Sequence, residues 1–502
     1  MVITANQVLL CEDDLFVQDP SRSVRVRLSD IHNSVITHYP DKELVYPNGI
    51  EIRLNIDSIV APIPLPQKVD FNNCKIIVEN TACSDLFLFS RVNVSYDLGY
   101  SVGKKDLDLG HFTHIPELCS GTKLLRVLDE NRWTLIDNDS SNIFYRRDVL
   151  VLKDGVAINS PIAKYGTNSA IVSARYSIVD DNLKTYKNLK FIRSHNSTHV
   201  TNLFSIQYEN NVEISGVCIK TPKPPYYNDF DSVFRTDNSI KILDSANITI
   251  KNVNICSNYS QETKRTKDDN CGLDNKHDGF GYSFTLNNVW NSQFINVTAK
   301  GAWAVFGANN INKMLLTNCT LSQLGSHCYS TDVTCINCTF TPFEGNITHI
   351  FNRFDCFYGT LFYKNCKFEN FCPFRMSSEY NAYTGFDLIF KDCEFTLSQG
   401  AGCLVQIYFN NDVNTRKELE MKCLPNIMLL NPSFGLLSTA NLTIFKFEND
   451  ITWQGAFDYI KIINVTLTSS GCSLTVYESN KTLQYSNVIG RNITGVNYIQ
   501  HP

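Results

Sequence analysis

The sequence predicts an all-β solenoid, a parallel β-helix, because one short phrase recurs along the chain. In this phrase an Asn or Asp precedes a Cys, and strand-like apolar residues flank the pair on both sides. The clearest copies are centred on Cys319, Cys338, Cys366 and Cys393, which are 19, 28 and 27 residues apart. Repeats of this length, built from short alternating strands, are typical of solenoids. Helical periodicity is almost absent, which also favours an all-β fold.

Each residue type in the phrase has a physical reason to be there. Asn suits a bend between two strands because it tolerates left-handed backbone and bonds its own main chain. Cys is a small apolar residue. A column of such residues can fill the interior of successive rungs, where a rung is one turn of the solenoid. The pair Cys335 and Cys338 has no second pair at zinc-binding spacing. We therefore predict that the 18 cysteines are packing residues with free thiols, as suits a protein made in a reducing cytoplasm.

Composition excludes several classes of protein. The 502 residues include 45 basic and 50 acidic ones, a net charge of −5, which argues against nucleic-acid binding. A hydrophobic fraction of 43% with 19% charged residues predicts a well-formed core. No apolar run approaches the roughly 18–20 residues of a membrane span, and no secretory signal is visible at the start. Nucleotide, zinc-protease, serine-hydrolase and calcium-loop motifs are absent, and we expect neither cofactor nor metal.

Three segments are expected. Residues 1–45 are irregular and predict an N-terminal cap or attachment segment, because solenoids need their ends covered. Residues 46–425 predict the parallel β-helix, and residues 426–502 predict either further rungs or a separate C-terminal β-domain. Long polar insertions within the solenoid are expected to form a wall beside a groove or a contact between subunits. They lie at 222–231, 257–277 and 410–425.

From residue 46 to about residue 395 the chain resembles right-handed β-helix proteins of the pectate-lyase-like superfamily, a group that includes proteins of gut bacteria and phage tailspikes. The most specific likeness is the stretch from Trp303 to His327, followed by Arg353-Phe-Asp355. The resemblance implies a right-handed coil and trimeric assembly. The group tends to carry Arg-Phe-Asp-x-His where this chain has Gln323-Leu-Gly-Ser-His. The loss of an Arg and an Asp there favours glycan binding without catalysis as an alternative.

Polar residues recur near the rung spacing and predict a site. Asp278, Trp303, His327, Arg353 and Glu379 are separated by 25, 24, 26 and 26 residues, and residues one rung apart stack about 4.8 Å from each other. In a polysaccharide-cleaving enzyme, carboxylates act as acid and base, a cation binds acidic sugars, and aromatic rings stack on sugar faces.

We predict catalytic roles for Asp278 and Asp355, with His327 as an accessory base. The predicted substrate-binding residues are Trp303, Arg353, Glu379, Tyr226 and Tyr227. Structural roles remain open for each: a turn for Asp278, a hydrogen-bonded turn for His327, core packing for Trp303, and an ion pair between Arg353 and Asp355. The tyrosines could equally pack between subunits.

The function predicted is that of a phage tailspike or tail-fibre-like protein. It would bind a host surface polysaccharide and depolymerise it by hydrolysis or β-elimination. Expected partners are the polysaccharide, two further copies of the chain in a homotrimer, and other tail proteins of a virion. The expected location is the virion, after synthesis in the host cytoplasm, with a secreted or cell-surface protein as the alternative. A non-catalytic adhesin and a purely structural virion protein stay open as alternatives on the same scaffold.

Overall fold

The structure is a computed structural model of the whole chain. It describes residues 1–16, 23–55, 61–79, 85–90, 96–98, 102, 104–135, 143–160, 173–193, 202–221, 239–257, 282–300, 304–322, 324–328, 330–341, 352–354, 357–369, 374–377, 385–397, 402–408, 426–436, 442–448, 460–464, 466–467, 473–478, 488–491 and 497–499.

The chain forms a right-handed parallel β-helix, as the sequence predicts. Each rung contributes a strand to three stacks, which we number in the order in which the chain passes through them. Stack 1 contains β5 (Ile63–Pro64), β8 (Asp85–Ser90), β16 (Asn202–Gln207), β25 (Gly325–Cys328), β28 (Asn352–Phe354), β31 (Phe374–Ser377), β34 (Gly402–Tyr408), β37 (Leu442–Glu448), β40 (Ser473–Glu478) and β42 (Asn497–Ile499).

Stack 2 follows directly in the chain. It contains β3 (Glu43–Val45), β6 (Lys68–Asp70), β14 (Lys184–Lys187), β17 (Asn210–Ser215), β26 (Ser330–Ile336), β29 (Phe357–Lys364), β32 (Gly385–Lys391), β35 (Asn426–Leu430), β38 (Ile460–Ile463) and β41 (Val488–Arg491). Three long strands turn the corner and belong to stack 1 in their first half and to stack 2 in their second. They are β19 (Ile240–Lys251), β21 (Tyr282–Ile295) and β23 (Ala304–Thr317).

Stack 3 forms a separate sheet. It contains β4 (Glu51–Asn55), β7 (Lys75–Glu79), β15 (Lys190–Arg193), β18 (Cys218–Thr221), β20 (Asn254–Ser257), β22 (Thr298–Lys300), β24 (Thr320–Leu321), β27 (Thr339–Phe340), β30 (Lys367–Glu369), β33 (Glu394–Leu397), β36 (Ser433–Leu436) and β39 (Thr466–Leu467). Strands β35–β42, which lie in the range 426–502, pair in parallel with the strands before them and continue the three stacks.

The turn from stack 2 to stack 3 is made by the Asn of the repeated phrase. Asn318, Asn337 and Asn365 have φ values of 55°, 53° and 52°, the left-handed region that Asn tolerates better than most residues. Their side chains form a ladder: Asn337 Nδ2 donates to Asn318 Oδ1 (3.2 Å), and Asn365 Nδ2 donates to Asn337 Oδ1 (3.3 Å). The ladder fixes the spacing of the rungs at this corner and supports the role predicted for Asn.

The residue after this turn points into the core. Val217, Val253 and Val297 fill the position in earlier rungs, and buried cysteines fill it later: Cys319, Cys338, Cys366 and Cys393. Every cysteine whose side chain the structure describes is free, and six of these cysteines are buried. Burial raises the pKa of the Cys74 thiol to about 12 and that of Cys335 well above its ordinary value, because the charged form loses its hydration. These buried thiols are therefore packing residues, as predicted.

The N-terminal segment covers the first rung. It contains β1 (Val2–Ile3), β2 (Gln7–Leu9), α1 (Glu12–Phe16) and α2 (Val24–His38). Helix α2 begins where the Ser23 side chain accepts a hydrogen bond from the Val26 amide. Its residues Leu28 and Val35 are buried in the solenoid core, and β2 pairs in parallel with β3. The helix therefore covers apolar surface that the first rung would otherwise expose.

An antiparallel sheet interrupts the solenoid between β8 and β14, within the range 46–425 for which the sequence predicts only the parallel β-helix. The inserted unit contains β9 (Tyr96–Asp97), α3 (Lys104–Leu109), β10 (Thr122–Leu135), β11 (Ile143–Lys153), β12 (Val156–Ala157) and β13 (Ser173–Ile178). One face of this sheet packs on its own core of Phe112, Leu125 and Leu150. The opposite face, with Leu124 and Val149, packs on the solenoid.

No helix among the described residues is both long and apolar enough to cross a membrane.

Candidate functional site

The outer face of stack 1 is polar over an apolar interior. Along β16 and the first halves of β19 and β21, side chains alternate between the two faces of the sheet. Phe204, Ile240 and Phe284 are buried in the core, while Ser205, Lys241 and Thr285 occupy the alternate register. Lys241 and Thr285 are half-buried and face outward. The first halves of β19, β21 and β23 therefore present outward polar groups that can form hydrogen bonds.

The neighbouring outward column holds Gln207, Leu243, Asn287 and Asn309, and all of these except Leu243 carry an amide. Gln207 Nε2 donates to Ser205 Oγ (3.0 Å), and Asn309 Nδ2 donates to Asn287 Oδ1 (3.0 Å) on the neighbouring rung. Two acceptor atoms of this face, Asn309 Oδ1 and Thr285 Oγ1, are shielded from solvent and have no hydrogen-bond partner in the described part of the chain. A buried oxygen without a donor costs free energy, which a bound hydroxyl or water would recover.

The inserted unit contacts the corner between stacks 1 and 2. The Arg126 guanidinium lies 4.4 Å from the centroid of the Tyr208 ring, and its Nη1 lies 3.5 Å from Asp244 Oδ2. The other carboxylate oxygen of Asp244 accepts a hydrogen bond from Asn288 Nδ2 (2.6 Å). The cation therefore sits against both a ring face and a carboxylate, an arrangement that holds the insert on the solenoid.

The contact continues on the next rung. The Arg147 amide donates to Asn310 Oδ1 (3.4 Å), and Asn312 Nδ2 donates to the carbonyl of Ser160 (3.3 Å). Leu124 and Val149 pack there against Ala246, with Trp290 beside them. Apolar and polar contacts together fix the insert as a wall along one side of the stack 1 face.

Basic residues recur at one register position of stack 1 farther along the solenoid. Gly325 pairs with Arg353, Arg353 with Arg375, Arg375 with Gln406, and Gln406 with Lys446. Three basic residues therefore fall in one column within four consecutive rungs.

Two of the predicted site residues lie in described strands. His327 is in β25, where the register against β23 shifts between Ala308 and Asn309, a bulge at the position of His327. Arg353 is in β28 and pairs with Gly325, two residues before His327. The structure thus brings these two residues to adjacent rungs of stack 1, with an offset of two positions.

The other six predicted site residues lie outside the described residues, and their predicted roles stay predictions. Four of them are close in sequence to strands of stack 1: Asp278 before β21, Trp303 before β23, Asp355 after β28 and Glu379 after β31. Tyr226 and Tyr227 lie between β18 of stack 3 and β19, nearer in sequence to β18.

Sequence reasoning missed several residues of this face. Lys241, Asn287 and Asn309 belong to outward positions of the strands, and only the strand register shows that they share a face. Arg126 lies outside the repeat altogether. The sequence does contain one indication of this face: along each strand, polar residues alternate with apolar ones such as Ile240 and Phe284. An alternation with a period of two residues predicts that the polar residues share the outer face of the strand.

The described residues contain no group of three or more His, Cys, Asp or Glu side chains placed to hold a metal ion. The outward side chains of this face that the structure describes include amides, hydroxyls and the ammonium group of Lys241. Such groups bind polyhydroxylated or anionic ligands.

No protein-family model matches the sequence, and no curated protein is similar to it. Solved structures do match its fold. The tailspike protein gp49 from Pseudomonas phage LKA1 aligns with a TM-score of 0.53 and 11% identity over 90% of this chain and 75% of that one. The Gp54 tailspike of Acinetobacter baumannii bacteriophage AP22, solved with a capsular saccharide, gives a TM-score of 0.48 and 12% identity over 91% and 75%. The tailspike gp61 of Pseudomonas phage phi297 gives 0.43 and 11% over 89% and 75%. The resemblance to parallel β-helix proteins is thereby confirmed for the fold.

Proposed function

We propose that this chain is a tailspike-like protein that binds a host surface polysaccharide along the outer face of stack 1 and depolymerises it. The observation that carries the proposal is one outward register column of stack 1. It holds Ser205, Lys241 and Thr285 in its earlier rungs, two glycines in the middle, and Arg353, Arg375, Gln406 and Lys446 in its later rungs. An extended glycan matches a rigid face whose binding groups repeat with each rung. The fold that the chain shares with a phage tailspike supports the same class of protein.

The glycan that fits this face is acidic. Lys241, half-buried on the outer side of β19, would pair with a sugar carboxylate or another anionic substituent. The acceptor atoms Asn309 Oδ1 and Thr285 Oγ1 would take hydrogen bonds from sugar hydroxyls. The inserted unit, held by Arg126, would bound the groove on one side.

For the cleavage step we propose the residues that adjoin this face in the chain. Asp278 and Asp355 would act as acid and base and His327 as an accessory base. Arg353 would bind the acid group, and Trp303, Glu379, Tyr226 and Tyr227 would contact the sugar rings. A hydrolase would use the two carboxylates, whereas a lyase would remove a proton beside a uronate carboxylate neutralised by Arg353.

The biological setting proposed with this function is a virion tail. The protein would be made in a bacterial cytoplasm, which suits its buried free thiols, and would assemble as a homotrimer beside other tail proteins. Its chemistry would need no cofactor.

A non-catalytic adhesin is the second candidate. The described residues of the stack 1 face are mainly amides, hydroxyls and cations, and the Asp244 carboxylate is held by Arg126 and Asn288. These groups bind a glycan but do not by themselves supply an acid and a base.

The test is incubation with an acidic host capsular polysaccharide, followed by sizing of the product and by ultraviolet absorbance for an unsaturated uronate. Shortened chains with the absorbance mean a lyase, and shortened chains without it mean a hydrolase. Binding without shortening overturns the depolymerase and leaves the adhesin.

A matched pair of variants tests the face itself. Lys241→Gln removes a cation from the stack 1 face and should weaken glycan binding about tenfold or more. Lys220→Gln removes an exposed cation from the outer side of β18 in stack 3 and should leave binding unchanged. Equal loss in both variants would indicate attraction by overall charge and would contradict a site on stack 1.

A further inference from the structure

A pocket lies at the N-terminal end of stack 1, between helix α2 and the first two strands of that stack. Its volume is about 490 Å³, in the range of small-molecule binding sites, and we call it the cap pocket. Pro64 of β5 and Leu88 of β8 line it on the solenoid side. Both are half-buried, whereas the adjacent Ile63 and Phe87 lie in the core, so the pocket is on the outer side of the sheet.

The cap pocket continues the outward register column that carries the proposed glycan site. Pro64 pairs with Leu88, Leu88 with Ser205, and Ser205 with Lys241. Leu88 and Lys241 are therefore two rung spacings apart, about 10 Å. A single extended glycan can contact the lysine and reach the pocket.

One face of helix α2 forms the opposite wall of the cap pocket. Val26, Ser29 and Asn33 line the pocket and follow the i, i+3, i+7 spacing of a single helix face. Leu28 and Val35, on the other side of the helix, are buried in the solenoid core. The helix is thus held by its apolar face and presents a mixed polar and apolar face to the pocket.

The polar groups of the cap pocket include one that lacks a partner. Ser29 Oγ is shielded from solvent and has no hydrogen-bond partner among the residues that the structure describes. Arg25 is almost fully buried, and its Nη1 donates to the carbonyl of Ala61 at the pocket wall. A shielded hydroxyl without a partner costs free energy, which a hydrogen-bonding group of a ligand would recover.

These lining groups fit an acetamido substituent, which joins a methyl group to an amide. The methyl group would pack against Pro62 and Leu88. The amide N–H would donate to Ser29 Oγ, and the Asn33 side chain would donate to the carbonyl oxygen. A sugar hydroxyl in the same place has no methyl group to bury, and the ammonium group of an unacetylated amino sugar would lie in the same pocket as the Arg25 cation.

We infer that the cap pocket binds the acetamido group of an N-acetylated sugar at the N-terminal end of the stack 1 face. The inference adds a substrate feature to the proposed function and rests on it for the polysaccharide that carries this sugar. The glycan would then be one that contains both acidic and N-acetylated sugars, with the acid at Lys241 and the acetamido group in the pocket.

Saturation-transfer NMR on the purified full chain tests the chemistry of the pocket. The probes are N-acetylglucosamine and N-acetylgalactosamine, with glucosamine and glucose as matched sugars. At least one acetamido sugar should bind, with the largest transfer to its methyl protons. The two matched sugars should bind at least tenfold more weakly, because they lack both the methyl group and the amide. Equal binding of all four sugars, or binding of none, overturns the inference.

A matched pair of serine variants tests the position. Ser29→Ala removes the hydroxyl that would accept the amide N–H and should weaken binding of the acetamido sugar about fivefold or more. Ser34→Ala makes the same change in the same helix outside the residues that line the pocket, and it should bind like the wild type. Equal affinities of the two variants, with native thermal unfolding of both, overturn the inference.

Lys241→Gln separates this inference from the proposed function. It should weaken binding of the acidic polysaccharide but not of N-acetylglucosamine, which carries no anion. A chain that binds the acetamido sugar through Ser29 but binds no polysaccharide refutes only the proposed function. Polysaccharide binding that survives chemical de-N-acetylation of the glycan, with no acetamido sugar bound, refutes only the role of the cap pocket.

Discussion

The N-terminal and C-terminal rungs of stack 2 have the same interior but different outer surfaces. Inside, Ile214 and Phe294 in early rungs and Tyr363 and Phe390 in later rungs are all fully buried. Outside, the polar residues Glu213, Thr249 and Gln293 are followed in the same register column by mainly apolar ones, which are Leu315, Phe362, Ile389 and Met428 with Thr334 among them. The interior is therefore determined by the need to stack identical volumes, whereas the outer surface is free to vary with what covers it.

This difference separates the positions of the repeat that serve the structure from those that serve the function. Inward residues and the Asn turn recur in both halves because each rung stacks only on its neighbours. Outward positions differ both between the two halves of stack 2 and between stack 2 and the polar face of stack 1. Function is therefore to be sought in the outward register, and the predictions that follow test the two sets of positions separately.

The largest effect is expected from the interior, and it should be equal in both halves. Phe294→Ala removes a ring whose centroid lies 4.8 Å from the centroid of the Phe306 ring. Phe390→Ala removes a ring whose centroid lies 5.1 Å from the centroid of the Tyr363 ring. Each should lower the free energy of unfolding by about 3–5 kcal/mol, as deletion of a buried ring does. Urea unfolding measures the loss. Gln293→Ala, on the outer side of the same strand as Phe294, is the control, and a similar loss for the control would contradict the division.

A slightly smaller effect on stability is expected in the N-terminal cap, where a buried histidine takes the place of an apolar core residue. His32 is fully buried, and burial lowers its pKa to about 4. Its Nδ1 donates to the Pro64 carbonyl (2.6 Å), and its Nε2 accepts from the Tyr46 hydroxyl (2.6 Å). Because the unfolded chain takes up a proton near pH 6.5 and the folded chain only near pH 4, stability falls as the pH drops through this window. The loss should reach about 3 kcal/mol.

Thermal unfolding between pH 7 and pH 4 measures this dependence. His32→Gln should flatten it, whereas His38→Gln, at the exposed end of the same helix, should keep it. The same pH dependence in wild type and His32→Gln would show that other groups cause it.

The Asn turn should contribute an intermediate amount. Asn365→Ala forces Ala into left-handed backbone (φ 52°) and removes the hydrogen bond to Asn337, at a cost of about 1–2 kcal/mol. Asn296→Ala should cost a similar amount in an early rung, since the turn and its ladder bond to Asn252 are the same there. Urea unfolding of both, with Asn365→Gly to restore only the backbone freedom, separates the two contributions. If only one of the two Ala variants lowered the free energy of unfolding, the Asn turn would not have the same role in early and late rungs.

The sequence predicted the parts of the fold that repeat. The phrase around Cys319 and Cys338 contains both the turn and the inward residue after it, and local chemistry dictates each of them. The inserted unit at residues 96–178 escaped prediction because its antiparallel strands carry no copy of the phrase. Its position on the solenoid depends on contacts such as Arg126 with Asp244, which join residues 118 positions apart and leave no local pattern.

The candidate site could be predicted only in outline. The structure has His327 and Arg353 on neighbouring strands of stack 1, as the rung spacing suggests, but Arg353 pairs with Gly325. Rung spacing could not give their offset of two residues, because the bulge at His327 and the unequal lengths of the rungs shift the register. Lys241 and Arg375 were missed since their shared face follows from strand pairing over several rungs, which spacing between single residues does not reveal.

The smallest effect on stability, and the sharpest test of the comparison, is expected at the outward position where this register column changes from polar to mainly apolar residues. Gln293→Leu places a Leu directly beside Leu315 in the same outward register. Because residue 293 is half-buried on the outer side of its strand, the free energy of unfolding should change by less than about 0.5 kcal/mol. Urea unfolding measures the change. A change as large as the roughly 3–5 kcal/mol expected for Phe294→Ala would mean that outward positions determine stability as much as inward ones do.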